Sequence, residues 1–277
     1  MARVFRMLRS AARPQLSTIR VLVSLLVVLF ASGGVTLLDS TAEALHAQNR
    51  VVSGALAVGI TLICAVMASR GLRTAVTVWC SDADIPFEVT SAATHIASIF
   101  TAVFWLLATE FANMGAALPA VLALSTIAVW CAVVDQATMR IPTSAAYTAA
   151  TLTLLLIVVA GLFDSDASAI LRAVAGGFAT ALMYLLVAWA TRGGVGLGDV
   201  RLSLSLGFVL GYQGWPSVVA GLIWPVIVLF PVVIGTIIHR RITRSTETAR
   251  EIAAGPGLVA GCALAVVGMD VVDAGLR

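Results

Sequence analysis

The chain has 277 residues, 60% of them hydrophobic and only 11% charged, with a mean hydropathy of +1.02. Soluble domains carry about 25% charged residues, so an ordinary soluble enzyme is excluded. The net charge of +3 is small, and nucleic acid is not expected as a partner. Repeated apolar runs of roughly 20 residues match the thickness of a bilayer core. They imply an all-α fold, a polytopic helical membrane protein in contact with lipid.

All 17 basic residues are arginine. The four cysteines, Cys64, Cys80, Cys131 and Cys262, are scattered singly with no CxxC pair. A cysteine-ligated zinc site and a disulfide framework are therefore not expected.

In chain order, Arg3, Arg6, Arg9, Arg13 and Arg20 precede a first apolar run over residues 21–38. Ala42-Glu43-Ala44 resembles a signal-peptide cleavage site, but the run is long for a signal peptide and more spans follow. An uncleaved first helix is expected. Further runs cover 51–69, 92–108, 116–134, 143–163, 168–190, 200–211, 217–239 and 252–269, nine expected spans in all. The seventh is short for a crossing and implies tilt, local thinning or burial among neighbours.

Nine spans with the N-terminus inside place fourteen arginines in cytoplasmic segments and leave only Arg50, Arg172 and Arg277 outside. That asymmetry is what the positive-inside rule demands. The expected topology is N-in, C-out.

Most acids fall in loops. Two instead stand against span ends on the cytoplasmic side, Asp135 closing the fourth span and Asp199 opening the seventh. They stand 64 positions apart, room for a hairpin of two spans, which returns both carboxylates to one membrane face. Two carboxylates that share a site do not both ionise easily, so one holds a proton as general acid while the other activates water. Helix polarity favours charge on Asp199, at a helix start, and disfavours it on Asp135, at a helix end. By that argument Asp199 is the base and Asp135 the acid. Gly193, Gly194, Gly196 and Gly198 lead into Asp199. Gly196 and Gly198 permit unusual dihedrals and close approach of an extended substrate.

Gly196-Leu197-Gly198-Asp199-Val200-Arg201 resembles the GxGDxK signature of type IV prepilin peptidases, a class of GxGD membrane aspartyl proteases. Asp135 followed by Ile141-Pro142 resembles that family's first catalytic motif, and Gly255-Pro256 resembles its C-terminal Gly-Pro. The resemblance covers residues 111–277, a six-helix peptidase core, and leaves 1–110, about three helices, unassigned. It implies cleavage of basic leader peptides from prepilins or pseudopilins at the cytoplasmic face of the bacterial inner membrane. By it Asp135 and Asp199 are the catalytic pair and no metal or cofactor is needed. Thr143 stands where the family has Asn, and Arg201 where it has Lys. Bifunctional members carry paired CxxC motifs in a cytoplasmic loop and methylate the new N-terminus; here the loop over 70–91 has only Cys80, so methyltransferase activity is not expected.

Other signals are weaker. Asp82-Ala83-Asp84 reads as a solvated loop, and with Glu88 these acids are better placed than the run His239-Arg240-Arg241 to meet a basic leader. That run anchors a span against anionic lipid. His95 reads as a lone polar residue facing the bundle, and Pro225 and Pro231 as tolerated kinks in the eighth span. A presenilin-like intramembrane protease shares Gly196-Leu197-Gly198-Asp199, but its companion Tyr-Asp and Pro-Ala-Leu are absent. A proton-coupled transporter using the two aspartates lacks the repeat symmetry expected of one. An inactive homologue serving as a scaffold is the third alternative.

Overall fold

The computed structural model describes residues 18–35, 50–112, 114–191, 195–243 and 253–275. Within them the chain is helical, with no strand. The helices are α1 (Thr18–Val35), α2 (Arg50–Asp82), α3 (Ser91–Phe111), α4 (Leu118–Thr138), α5 (Thr143–Phe163), α6 (Ala167–Ala190), α7 (Leu197–Gln213), α8 (Trp215–Thr243) and α9 (Gly255–Gly275). A turn of 3-10 helix, Gly115–Ala117, leads into α4. The arginines at 3–13, the Ala42-Glu43-Ala44 site and the glycines at 193 and 194 lie outside the described residues, as does the last run's start.

Seven helices, α1 to α6 and α8, are long and apolar enough to cross a bilayer among the described residues. The two remaining expected spans differ. In α9 the apolar helix counted runs from Gly255 to Gly268, and α7 has 17 residues. Of the three outcomes expected for that short seventh run, burial is the one found. Leu202, Leu206, Phe208, Val209 and Leu210 of α7 are all buried, and α5, α6, α8, α9 and α4 pack around it.

A second difference concerns the loop expected over 70–91. Helix α2 continues to Asp82, because Leu72, Ala75, Val76, Trp79 and Cys80 bury one face at helical spacing while Arg70 and Arg73 point outward. The connection to α3 shrinks to residues 83–90. Thr90 caps α3 by accepting the Ala93 N–H at 3.1 Å.

Helix α4 is the core of the bundle, packed against α2, α3, α5, α7 and α9. Its Trp130 is buried and donates its indole N–H to the Ser69 carbonyl of α2 at 3.0 Å. Trp105 of α3 donates likewise to the Leu122 carbonyl of α4, also at 3.0 Å. A buried indole needs such a partner, and these two bonds fix α2 and α3 on α4. Helix α8 stays one element through Pro225 and Pro231. His95, expected to face the bundle, is exposed on the outer side of α3.

Helices α6 and α7 pack backbone to backbone along a run of glycines. A Cβ on Gly211 would stand 2.6 Å from the Arg172 carbonyl oxygen, and one on Gly207 would stand 2.8 Å from the Gly177 Cα. Apolar transfer does not drive helices together in lipid, so small residues that admit backbone contact do so instead. Arg172 then ties α6 to the end of α7 by donating to the Gly211 and Tyr212 carbonyls at 3.0 and 2.9 Å. Gly211→Val should therefore force the helices apart and cost about 1–3 kcal/mol. The check is thermal unfolding of the detergent-solubilised protein, where a melting temperature equal to wild type would contradict this packing.

Candidate active site

The site begins with how α4 ends. Asp135 sits in its last turn, and the helix stops when Met139 takes a left-handed conformation, φ 56°, with its N–H on the Asp135 carbonyl at 2.7 Å. A non-glycine residue there is strained by about 1 kcal/mol or more. The reversal turns the chain into Ile141-Pro142, both buried, and from there into α5. Thr143 is the first residue of α5, and Pro142 holds the cap position without a side-chain bond. The Thr143 hydroxyl instead accepts from the Arg201 guanidinium at 3.2 Å. That guanidinium also lies 5.9 Å from the centre of the Tyr147 ring, within cation–π range.

Helix α7 begins just after Gly196, and Asp199 falls in its first turn. The glycines matter here for a reason other than unusual dihedrals. Gly196 has φ −69° and ψ 146°, open to any residue, and Gly198 lies within the helix. What Gly198 supplies is closeness, since a Cβ there would meet the Ile141 Cβ at 2.9 Å. The Ile-Pro and GxGD segments thus touch through a missing side chain. Their contact and the Arg201–Thr143 bond hold the start of α7 against the start of α5.

Asp135 and Asp199 line one cavity of about 280 Å³, together with Met139, Arg140, Ile141, Thr143 and residues 196–198. The two aspartates are only 5% and 6% exposed, so neither sits as a solvated surface acid. Gly255, at the start of α9, donates its backbone N–H to Asp135 Oδ2 at 2.9 Å. Asp199 Oδ1 is buried without a hydrogen-bond partner among the described residues. The two carboxylates, 64 positions apart, are brought to one pocket by the ends of two helices.

Residues 122–239 match the model of the type IV leader peptidase family. No curated protein and no solved structure matches the chain at a significant level. The matched segment starts within α4, ends within α8 and contains both aspartates, so the likeness to a peptidase family covers the stretch that bears them. Outside the segment stand Gly255 on α9, which bonds Asp135, and Ala83 and Ile85 of the α2–α3 connection, which line the cavity.

The sequence points to Gly255 only through its likeness to a Gly-Pro motif, and gives no sign that Ala83, Ile85 or Met139 line the site. Apolar residues in an apolar chain carry no local signal. Asp82 and Asp84 are exposed at the end of α2 and beside it, as a solvated loop requires. Cys80 and Cys131 are buried free thiols.

The Gly255 contact leaves no room for a side chain. A Cβ at 255 would lie 2.7 Å from Asp135 Oδ2. Gly255→Ala should destabilise the protein by about 1–3 kcal/mol, and Asp135→Ala in the same chain should recover most of that loss by removing the clashing oxygen. Melting temperatures of the four members of this double-mutant cycle test it; additive losses would rule the contact out.

Proposed function

We propose that this protein is a membrane aspartic endopeptidase that removes basic leader peptides from type IV prepilins or pseudopilins. Asp135 and Asp199 are the catalytic pair. The observation that carries this reading is their convergence on one cavity at the ends of α4 and α7, inside the segment that matches a leader-peptidase family. The arginine asymmetry of the sequence supports a cytoplasmic face for that end of the bundle. Gly196, Gly198, Arg201, Ile141 and Pro142 act by holding the two aspartate-bearing segments together. Asp82, Asp84 and Glu88 are exposed on or beside the connection that borders the cavity, which supports an electrostatic part in receiving a basic leader.

The chemistry needs one carboxylate and one carboxylic acid. Helix polarity points to Asp199 as the base, but the local hydrogen bonds favour the opposite division. The Gly255 N–H on Asp135 favours the charged form, because a bond donated to a carboxylate stabilises it. Asp199 accepts from the Gly196 backbone N–H, but its Oδ1 is buried with no partner among the described residues, and a buried oxygen left so is better served by a proton than by a charge. In this scheme Asp135 takes a proton from water as the oxygen attacks the scissile carbonyl carbon. Asp199 gives its proton to the carbonyl oxygen. Collapse of the tetrahedral diol then breaks the C–N bond: the amine leaves carrying the proton held by Asp135, one hydroxyl proton returns to Asp199, and the pair is restored. The pair titrates as a unit.

Asp135→Asn and Asp199→Asn should each lower the rate of leader removal by on the order of 10³-fold or more. The assay is co-expression with a candidate prepilin, read by gel shift and intact mass. Cleavage that survives either substitution would sink the aspartyl-protease reading. The same spectrum should show the mature N-terminus unmethylated.

A further inference from the structure

We propose that the α2–α3 connection forms a third wall of the aspartate cavity and sets the size of the substrate side chain accepted beside the scissile bond, with Ala83 and Ile85 as specificity-determining residues. The inference rests on the endopeptidase reading of that cavity. It gives a role to a region that precedes the family match at residue 122.

The aspartates and the Ile141 and Gly196–Asp199 segments make two sides of the cavity, and Ala83 and Ile85 contribute the third. Catalytic groups must be fixed, but the remaining wall is free to select, since space there is taken by a side chain that has no chemical task. The difference in size between Ala83 and Ile85 makes them suited to this. Ala83 is half-buried and short, so a larger residue there would project into the cavity, whereas Ile85 is 8% exposed and already fills space.

A wall selects only if it is rigid, and this one is built rather than loose. The Ala83 N–H bonds the Trp79 carbonyl at 3.1 Å and the Ile85 N–H bonds the Cys80 carbonyl at 2.9 Å, so both residues hang from the last turn of α2. Between them Asp84 takes φ 51°, which turns the chain sharply at that point. Beyond them the Arg73 guanidinium donates to the Val89 carbonyl at 2.9 Å and pins the far end of the connection back onto α2. The Trp130–Ser69 bond carries α2 on α4, the helix that also presents Asp135. Wall and carboxylate therefore share one scaffold.

The test uses the full-length protein in nanodiscs and two leader-peptide substrates that differ only at the residue beside the scissile bond, one small and one large. Ala83→Phe should lower kcat/KM for the large substrate by about tenfold or more relative to the small one, as expected when a pocket loses room. Ile85→Ala should move the ratio the other way. A purely structural role would lower both substrates together, so the ratio and not the rate is the readout, and melting temperatures of both variants are taken alongside. If wild type cleaves and the ratio is unmoved in both variants, this inference falls alone. If wild type cleaves neither peptide, the endopeptidase reading falls and takes the inference with it.

Discussion

Two buried carboxylates can share a cavity only if the protein holds them there against their mutual repulsion and against the loss of water. The arrangement depends on backbone brought to unusually short range. The N–H of Gly255 reaches Asp135 because residue 255 has no Cβ to strike the carboxylate, and the start of α7 reaches Ile141 because residue 198 has none either. Larger side chains at these two positions would open the cavity that the carboxylates share.

The same economy of side-chain volume recurs away from the site. Helix α7 is too short and too buried to behave as an ordinary lipid-facing span, and it is seated by glycine contacts with α6. Those contacts fix its height in the bundle, and so the height of Asp199 in its first turn. Arg172 at the opposite end bonds the last carbonyls of α7, which resists sliding along the axis. Helix α4, carrying Asp135, is fixed by the indole bonds of Trp105 and Trp130. Each aspartate is thus borne on a helix whose position is set by backbone-directed bonds.

The N-terminal helices are joined to this arrangement rather than set apart from it. Treating residues 1–110 as a separate region follows from their lack of motif, but α2 and α3 pack on α4, and their connection lines the aspartate cavity. The helical extension of α2 to Asp82 is what brings Ala83 and Ile85 within reach of the site.

The amino-acid sequence by itself determined the all-helical class, most of the spans, and the pair Asp135 and Asp199, because apolar runs of bilayer length and acids at their ends are local signals. The end of α2, the orientation of His95 and the dihedrals of Gly196 and Gly198 differ from what the sequence suggests. For α2 and Gly198 the deciding partner lies far along the chain, the surface of α4 for the apolar face of α2 and Ile141 for Gly198. Tertiary structure alone decided that Gly255 serves Asp135 and that Ala83 and Ile85 complete the cavity. In a chain this rich in apolar residues, composition cannot distinguish the few that face a site from the many that face lipid; only the packing of distant helices does so.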